Sequence, residues 1–192
     1  MNLWLRILLL LLATPFRPKL KPPFDVSRLT FRVWPNDLDT NLHMNNGRYL
    51  TVMDLGRLDL TLRMGLAGHA RRNGWMPILS AANVLFRREL RPFQKYVLET
   101  RILWWSQTHF VMEHRMLVPA KSGESPHLAA RALMHGGIYQ RKAKRFVPVE
   151  EIMQIMGVEA ESPEPGPDVE AALAAIRIKR EVAAAQSRGE RL

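Results

Sequence analysis

Trp34-Pro35-Asn36-Asp37-Leu38-Asp39-Thr40-Asn41-Leu42-His43-Met44-Asn45-Asn46-Gly47-Arg48-Tyr49 joins a polar loop to a helix. Asn36 to Asn45 has loop composition, and the helical pattern runs from about Asn46 to Leu66. Asn45 or Asn46 can cap the helix start with its side-chain oxygen. Asp39, Asn41 and His43 fall at alternate positions just ahead of that start. A helix N-terminus presents unpaired N–H groups and a positive dipole end, so it can hold an anion or a developing oxyanion. A carboxylate beside it can attack a carbonyl or activate water. Asp and Asn also favour loops for local hydrogen-bonding reasons, and a lone Asp-x-Asn-x-His is structural more often than not. The full string is far more specific than its parts.

Downstream, Tyr49, Val52, Met53, Gly56, Leu60 and Met64 form one helical stripe, and Leu55, Leu58 and Leu62 form another on the opposite side. A helix apolar on two sides is buried from two directions. Gly56 costs about 1 kcal/mol in helix propensity, which points to a close approach to a sheet. After Gly65 and Gly68, Met76 to Glu89, Tyr96 to Ser106, Phe110 to Val118 and Leu128 to Tyr139 read as strands. Turn residues such as Lys121-Ser122-Gly123-Glu124 separate them. Upstream, Leu29, Phe31 and Val33 alternate with Thr30, Arg32 and Trp34 in a short strand ended by Pro35. A strand, a long helix and then a run of strands predict an α+β domain with an antiparallel sheet. One helix on one sheet face leaves the other face needing cover.

The ends divide the chain into residues 1–27, 28–147 and 148–192. Leu3 to Ala13 is apolar apart from Arg6, and is followed by a proline-broken connector carrying Arg17, Lys19 and Lys21. The run is too short to span a bilayer, which takes about 20 residues. It also makes a poor signal peptide, with Arg6 inside it. Two readings stand: a helix at the membrane interface held by cations, or a helix packed on its own domain or on a partner. At the other end, Pro148 to Met156 reads as a short helix, Glu161 to Pro167 as a linker, and Ala171 to Ala185 as a helix with a thin apolar face.

The absence of cysteine excludes disulfides, thiolate metal sites and a cysteine nucleophile. With 28 Lys and Arg against 18 Asp and Glu, the net charge is +10, which suits nucleic acid, anionic lipid or phosphate-bearing ligands alike. No nucleic-acid recognition motif accompanies the charge. Of the histidines, only His109 and His114 approach a metal-ligand spacing, and their odd separation puts them on opposite strand faces, so no metal is expected. Trp104 and Trp105 likewise point to opposite faces, one to the core and one available to line a pocket.

Asp37-Leu38-Asp39-x-Asn41-x-His43-Met44-Asn45-Asn46-x-x-Tyr49 resembles the hotdog thioesterases. It is close to the motif of plant acyl-carrier-protein thioesterases. It is closer still to bacterial and animal thioesterase-superfamily proteins that begin with a short apolar segment. The resemblance covers about residues 28–145 in element order and is sharp over 34–55. It implies a single hotdog domain, a long central helix wrapped by an antiparallel sheet, with helical extensions at both ends. It also implies hydrolysis of acyl-CoA or acyl-carrier-protein thioesters without a cofactor, in the cytoplasm or on the cytoplasmic face of a membrane. Asp39 matches the catalytic carboxylate of 4-hydroxybenzoyl-CoA thioesterase, with the same spacing to the helix tyrosine, here Tyr49. Asp39, Asn41 and His43 match catalytic positions of the plant enzymes, and the backbone N–H near Asn46 matches the oxyanion donor. Tyr49 is then counted with the substrate-binding residues. Asp54 falls where many relatives have Glu. Arg87, Arg88 and Arg91, with Lys95 beyond them, lie at or past a strand end, where two readings stand: contact with coenzyme A phosphates, or a solvated turn. The family places its site between two protomers, so a homodimer or dimer of dimers is expected. The alternatives are a non-catalytic acyl-thioester binding protein at the membrane surface, a nucleic-acid binder, and a hotdog dehydratase, whose His-Phe-Pro-type motif is absent here.

Overall fold

The computed structural model describes residues 3–120 and 125–188. The expected turn at Lys121 to Glu124 lies outside the described residues. Helix α1 (Leu3–Ala13) opens the chain, followed by strand β1 (Ser27–Arg32) and the central helix α2 (Asn46–Arg63). A short helix α3 (Leu66–Asn73) leads into β2 (Trp75–Phe86), β3 (Lys95–Trp105), β4 (His109–Val118) and β5 (His127–Gln140). The pair β6 (Arg145–Phe146), then α4 (Val149–Ile155) and α5 (Pro167–Ser187), completes it. The antiparallel sheet has the order β1-β3-β4-β5-β2, with β6 on β5.

Helix α2 lies along the inner sheet face. Tyr49, Val52, Met53 and Leu55 are buried with Leu98, Met116 and Met134 from the strands. Gly56 is where the approach is tightest: a Cβ there would stand 2.2 Å from Thr100 Oγ1 and 2.9 Å from Leu98 Cδ2. The second side of α2 is covered by α1, whose Leu3, Ile7 and Leu10 pack into the same core as Leu58 and Leu62. The two-sided burial read from the stripes follows from this sandwich. The helix stops at Arg63, earlier than Leu66, because Gly65 turns the chain at φ 83° and α3 starts anew.

The outer sheet face is partly covered from within the chain. Val169 and Ala172 of α5 pack on Val111 and Leu133, with Trp104 beside them. Arg131 adds ion pairs to Glu113 at 2.5 Å and to Asp168. Trp105 turns inward, as strand alternation requires. At the far end of α2, Trp75, Ile138, Val147 and Ile152 close the core under α3 and α4.

Two buried carboxylates tie the N-terminal segment down. Asp37 accepts from Arg6 of α1, from Arg48 at 2.9 Å and from the Trp34 backbone N–H at 3.0 Å. Asp59 accepts from Arg17, from the Ser27 hydroxyl at 2.6 Å and from Arg63 at 3.1 Å. Arg63 also donates to the Pro18 carbonyl at 2.9 Å, so the proline-rich connector runs along α2. Of the two readings of the first helix, the inner face of α1 fits packing on its own domain. Its outer face is bare: Trp4, Leu5, Leu8, Leu9, Leu11 and Leu12 are exposed.

Candidate active site

The loop before α2 closes on itself. Asp39 N–H donates to the His43 carbonyl at 2.9 Å, Leu42 N–H donates to the Asp39 carbonyl at 3.1 Å, and Leu38 bridges Met44. Leu42 sits at φ 59°, the left-handed conformation that lets the loop reverse within a few residues. The reversal brings His43 Nδ1 within 3.3 Å of Asp39 Oδ2, while Asn41 N–H donates to Asp39 Oδ1 at 2.9 Å. The Asp39 carboxylate is 21% exposed and His43 32%, so both are sheltered yet reachable. The Asn41 side chain is exposed.

Asn45 is the helix cap: its Oδ1 accepts from Gly47 N–H at 2.8 Å. Asn46 is the first helical residue and exposed, and no described residue accepts its backbone N–H. That is the orphan donor every helix start leaves, here a few residues from a carboxylate. The neighbouring basic loop is attached directly, since Met44 N–H donates to the Leu90 carbonyl at 2.9 Å. Arg87, Arg88 and Arg91 are exposed on that loop, with Arg91 paired to Glu89 at 2.9 Å; Lys95 begins β3.

Tyr49, expected among the substrate-binding residues, faces the core. It is buried with its ring edge-on to Phe86, 5.1 Å between centroids, and burial pushes its phenol pKa up. It forms the wall behind the loop. Asp54 is half-exposed and paired with Arg57. Both border an apolar cavity of about 390 Å³ between the C-terminal half of α2, the sheet and α4. Trp105, Phe110 and Ile138 line its floor, and Met153 and Met156 its far wall. Neither Asp39 nor His43 lines it.

Sequence reasoning passed over Asp37, which holds the loop from below. Its carbonyl accepts Asn45 N–H at 2.8 Å and its carboxylate fixes Trp34 and Arg48 on either side of the loop. The one signal was Arg6, a cation inside an apolar run. His109, His114 and His135 behave as packing groups. His114 is buried with Nδ1 2.9 Å from Thr100 Oγ1, and burial lowers its pKa to about 3. His109 stacks on His135, ring centroids 4.9 Å apart, and desolvation lowers the pKa of His135 to about 4. Among the described residues no group of three potential ligands is close enough to hold a metal.

Residues 33–157 match the family model described as the thioesterase-like superfamily. The chain belongs to the thioesterase-like superfamily. It is 28% identical over 157 residues to Protein THEM6 of Xenopus laevis, covering 79% of this chain and 76% of that one. In structure it resembles YbaW, a probable thioesterase from Escherichia coli, with a TM-score of 0.60 at 16% identity over 66% of this chain and 93% of that one. It also resembles a mutant 4-hydroxybenzoyl CoA thioesterase complexed with 4-hydroxybenzoyl CoA, with a TM-score of 0.61 at 16% identity over 68% of this chain and 98% of that one. The fold of this superfamily member is thus the single hotdog domain expected from the motif.

Proposed function

We propose that this superfamily member hydrolyses acyl-CoA thioesters with Asp39 as the reacting carboxylate. The observation that carries the reading is a sheltered, reachable carboxylate in the loop that runs into the start of α2, where the Asn46 N–H has no partner among the described residues. The thioester carbonyl oxygen would sit on that N–H, where the helix dipole stabilises the oxyanion. Asp39 then takes a proton from the attacking water, or attacks the carbonyl itself and is freed by water. In either route the carbon–sulfur bond breaks and the coenzyme A thiolate leaves with a proton. His43 holds the carboxylate's orientation, and Asn41 fixes it through its backbone N–H. Arg87, Arg88 and Arg91 meet the phosphates. An acyl-carrier-protein thioester carries the same reacting group, and its phosphopantetheine reaches the same loop.

The protomer pairs with a second copy in this reading. Strand β2 is a 12-residue edge, paired on one side only, with Leu79, Leu85 and Phe86 exposed. Such an edge invites antiparallel pairing with its own copy about a twofold axis.

One observation favours the second reading, binding without turnover. The bonds to Asn41 and His43 also make Asp39 a good structural turn residue. Asp39→Asn separates the two. Turnover of a panel of acyl-CoA thioesters should fall by about a hundredfold or more, the scale of general acid–base catalysis. Folding should change by no more than about 1 kcal/mol, the worth of a cap-type contact. Wild-type turnover in folded Asp39→Asn protein rules the mechanism out.

A further inference from the structure

We propose that α1 seats the protein flat on an anionic bilayer by its outer face, while its inner face locks the active-site loop to that docked helix. Residues Leu3, Arg6, Ile7 and Leu10 recur at helical spacing and are taken up by the domain. The remaining positions are as apolar as these but have no cover: Trp4 is 74% exposed and Leu12 61%. Phe16, just past the helix, is 90% exposed. A contiguous apolar face of this kind on a folded domain marks an interaction surface.

The occupant follows from charge and length. No Asp or Glu occurs before Asp25, while Lys19 and Lys21 stand exposed in the connector that follows the helix. A second copy on a twofold axis would bring like charges together with no carboxylate to meet them. Anionic headgroups complement them, and a tryptophan at one end of the face suits the headgroup level. The helix has 11 residues, about 16 Å at 1.5 Å per residue, against about 30 Å of hydrocarbon. No helix among the described residues is long and apolar enough to cross a membrane. The helix therefore lies in the interface plane.

The inner face gives docking a consequence for the site, and this part rests on the thioesterase reading. Arg6 holds Asp37, and the Asp37 carbonyl holds Asn45, the cap of α2. The loop bearing Asp39 is thereby fixed next to the bilayer-bound helix. It would meet thioesters whose acyl chains already partition into the lipid.

The test is flotation of the full chain with phosphatidylcholine vesicles, with and without one-third phosphatidylserine. The full chain should float with the anionic vesicles and bind neutral ones at least about tenfold more weakly. Leu8→Glu with Leu12→Glu, and separately Lys19→Glu with Lys21→Glu, should each cut anionic binding at least about tenfold. Melting temperature, sedimentation and hydrolysis of a short-chain, soluble acyl-CoA should stay as in the wild type. Hydrolysis of palmitoyl-CoA presented in anionic vesicles should fall with binding. A wild-type chain left at the bottom of the gradient overturns the proposal. So does flotation of the leucine variant as wild type, or a change in its sedimentation without lipid, which would assign the face to a second copy. Flotation with no thioester hydrolysed would remove the enzymatic reading and leave docking standing.

Discussion

Replacing Asp37 by Asn should be the most destructive conservative change in the loop, although Asp37 touches no substrate in the proposed mechanism. Its side chain is fully buried, and that of Arg6 is 1% exposed. Asn keeps the size and can still accept from Trp34, but it leaves the Arg6 cation without a counter-charge. Arg6 has no second anion to turn to: its Nε and Nη1 are buried without a hydrogen-bond partner, its other neighbours are the Phe31 ring at 5.8 Å and the Tyr96 phenol, and burial pushes the pKa of that phenol up, so it stays neutral. Arg48 is 26% exposed and can relax into water, so it adds little. Breaking a buried pair by removing one partner costs about 3–5 kcal/mol. For a chain of this length each kcal/mol shifts Tm by about 2–4 °C, which gives a drop of about 6–20 °C. Removing both charges, Arg6→Met with Asp37→Asn, should recover a good part of the loss, because no uncompensated charge remains. Thermal melting of wild type, both single variants and the double variant closes the cycle. A single variant melting within about 2 °C of wild type, or a double variant worse than Asp37→Asn, would refute the reasoning.

The same pair sets an acid limit. Burial pushes the Asp37 pKa up, but the Trp34 N–H, Arg48 and Arg6 together outweigh it and hold the carboxyl below its ordinary 3.8. A carboxylate depressed in the folded state contributes stability above its unfolded pKa and loses it as pH falls through the folded one. The stability of wild type should therefore decline below about pH 4 more steeply than that of Asp37→Asn.

Gly56→Ala should lower Tm, because its Cβ would meet Thr100 Oγ1 at 2.2 Å. Overpacking costs about 1–3 kcal/mol and the helix-propensity gain returns at most about 1, so a raised Tm would show that α2 has room to move. Arg87→Glu with Arg88→Glu should raise KM for acyl-CoA about tenfold or more yet leave the matching acyl-pantetheine thioester unaffected; equal effects on both would exclude phosphate binding. His114, with its pKa lowered to about 3, should show no ring titration by NMR above about pH 4. Its unfolded form takes a proton near 6.5, so His114→Gln should flatten the loss of stability as pH falls from there towards 3.

What could be read from the sequence was what is local along the chain. The loop, the cap, the long helix and the four main strands announce themselves through composition and period, and so does the motif, whose members meet within a few residues. Asp37 and Asp39 are alike by that standard, yet one is buried under Arg6 and the other faces solvent. The distinction is set by a partner 31 residues away, just as Asp59 is set by Arg17 at a separation of 42. Helix α1 concealed its orientation for a related reason. Every position but one is apolar, so periodicity carries no phase, and Arg6 reads as an exposed residue until its carboxylate is known. The cavity depended on strand register. Bulges between Leu79 and Ala81, and between Ile102 and Trp104, decide which side chains face α2 there; the first is marked only on the partner strand, where Gly136 stands opposite Leu79, and the second has no glycine or proline on either strand. Chemistry that can be recognised in a motif is thus held in place by long-range pairs that cannot. Here those pairs converge on the N-terminal segment, so the stretch that looks most like an appendage in the sequence is the one that supports the loop bearing Asp39.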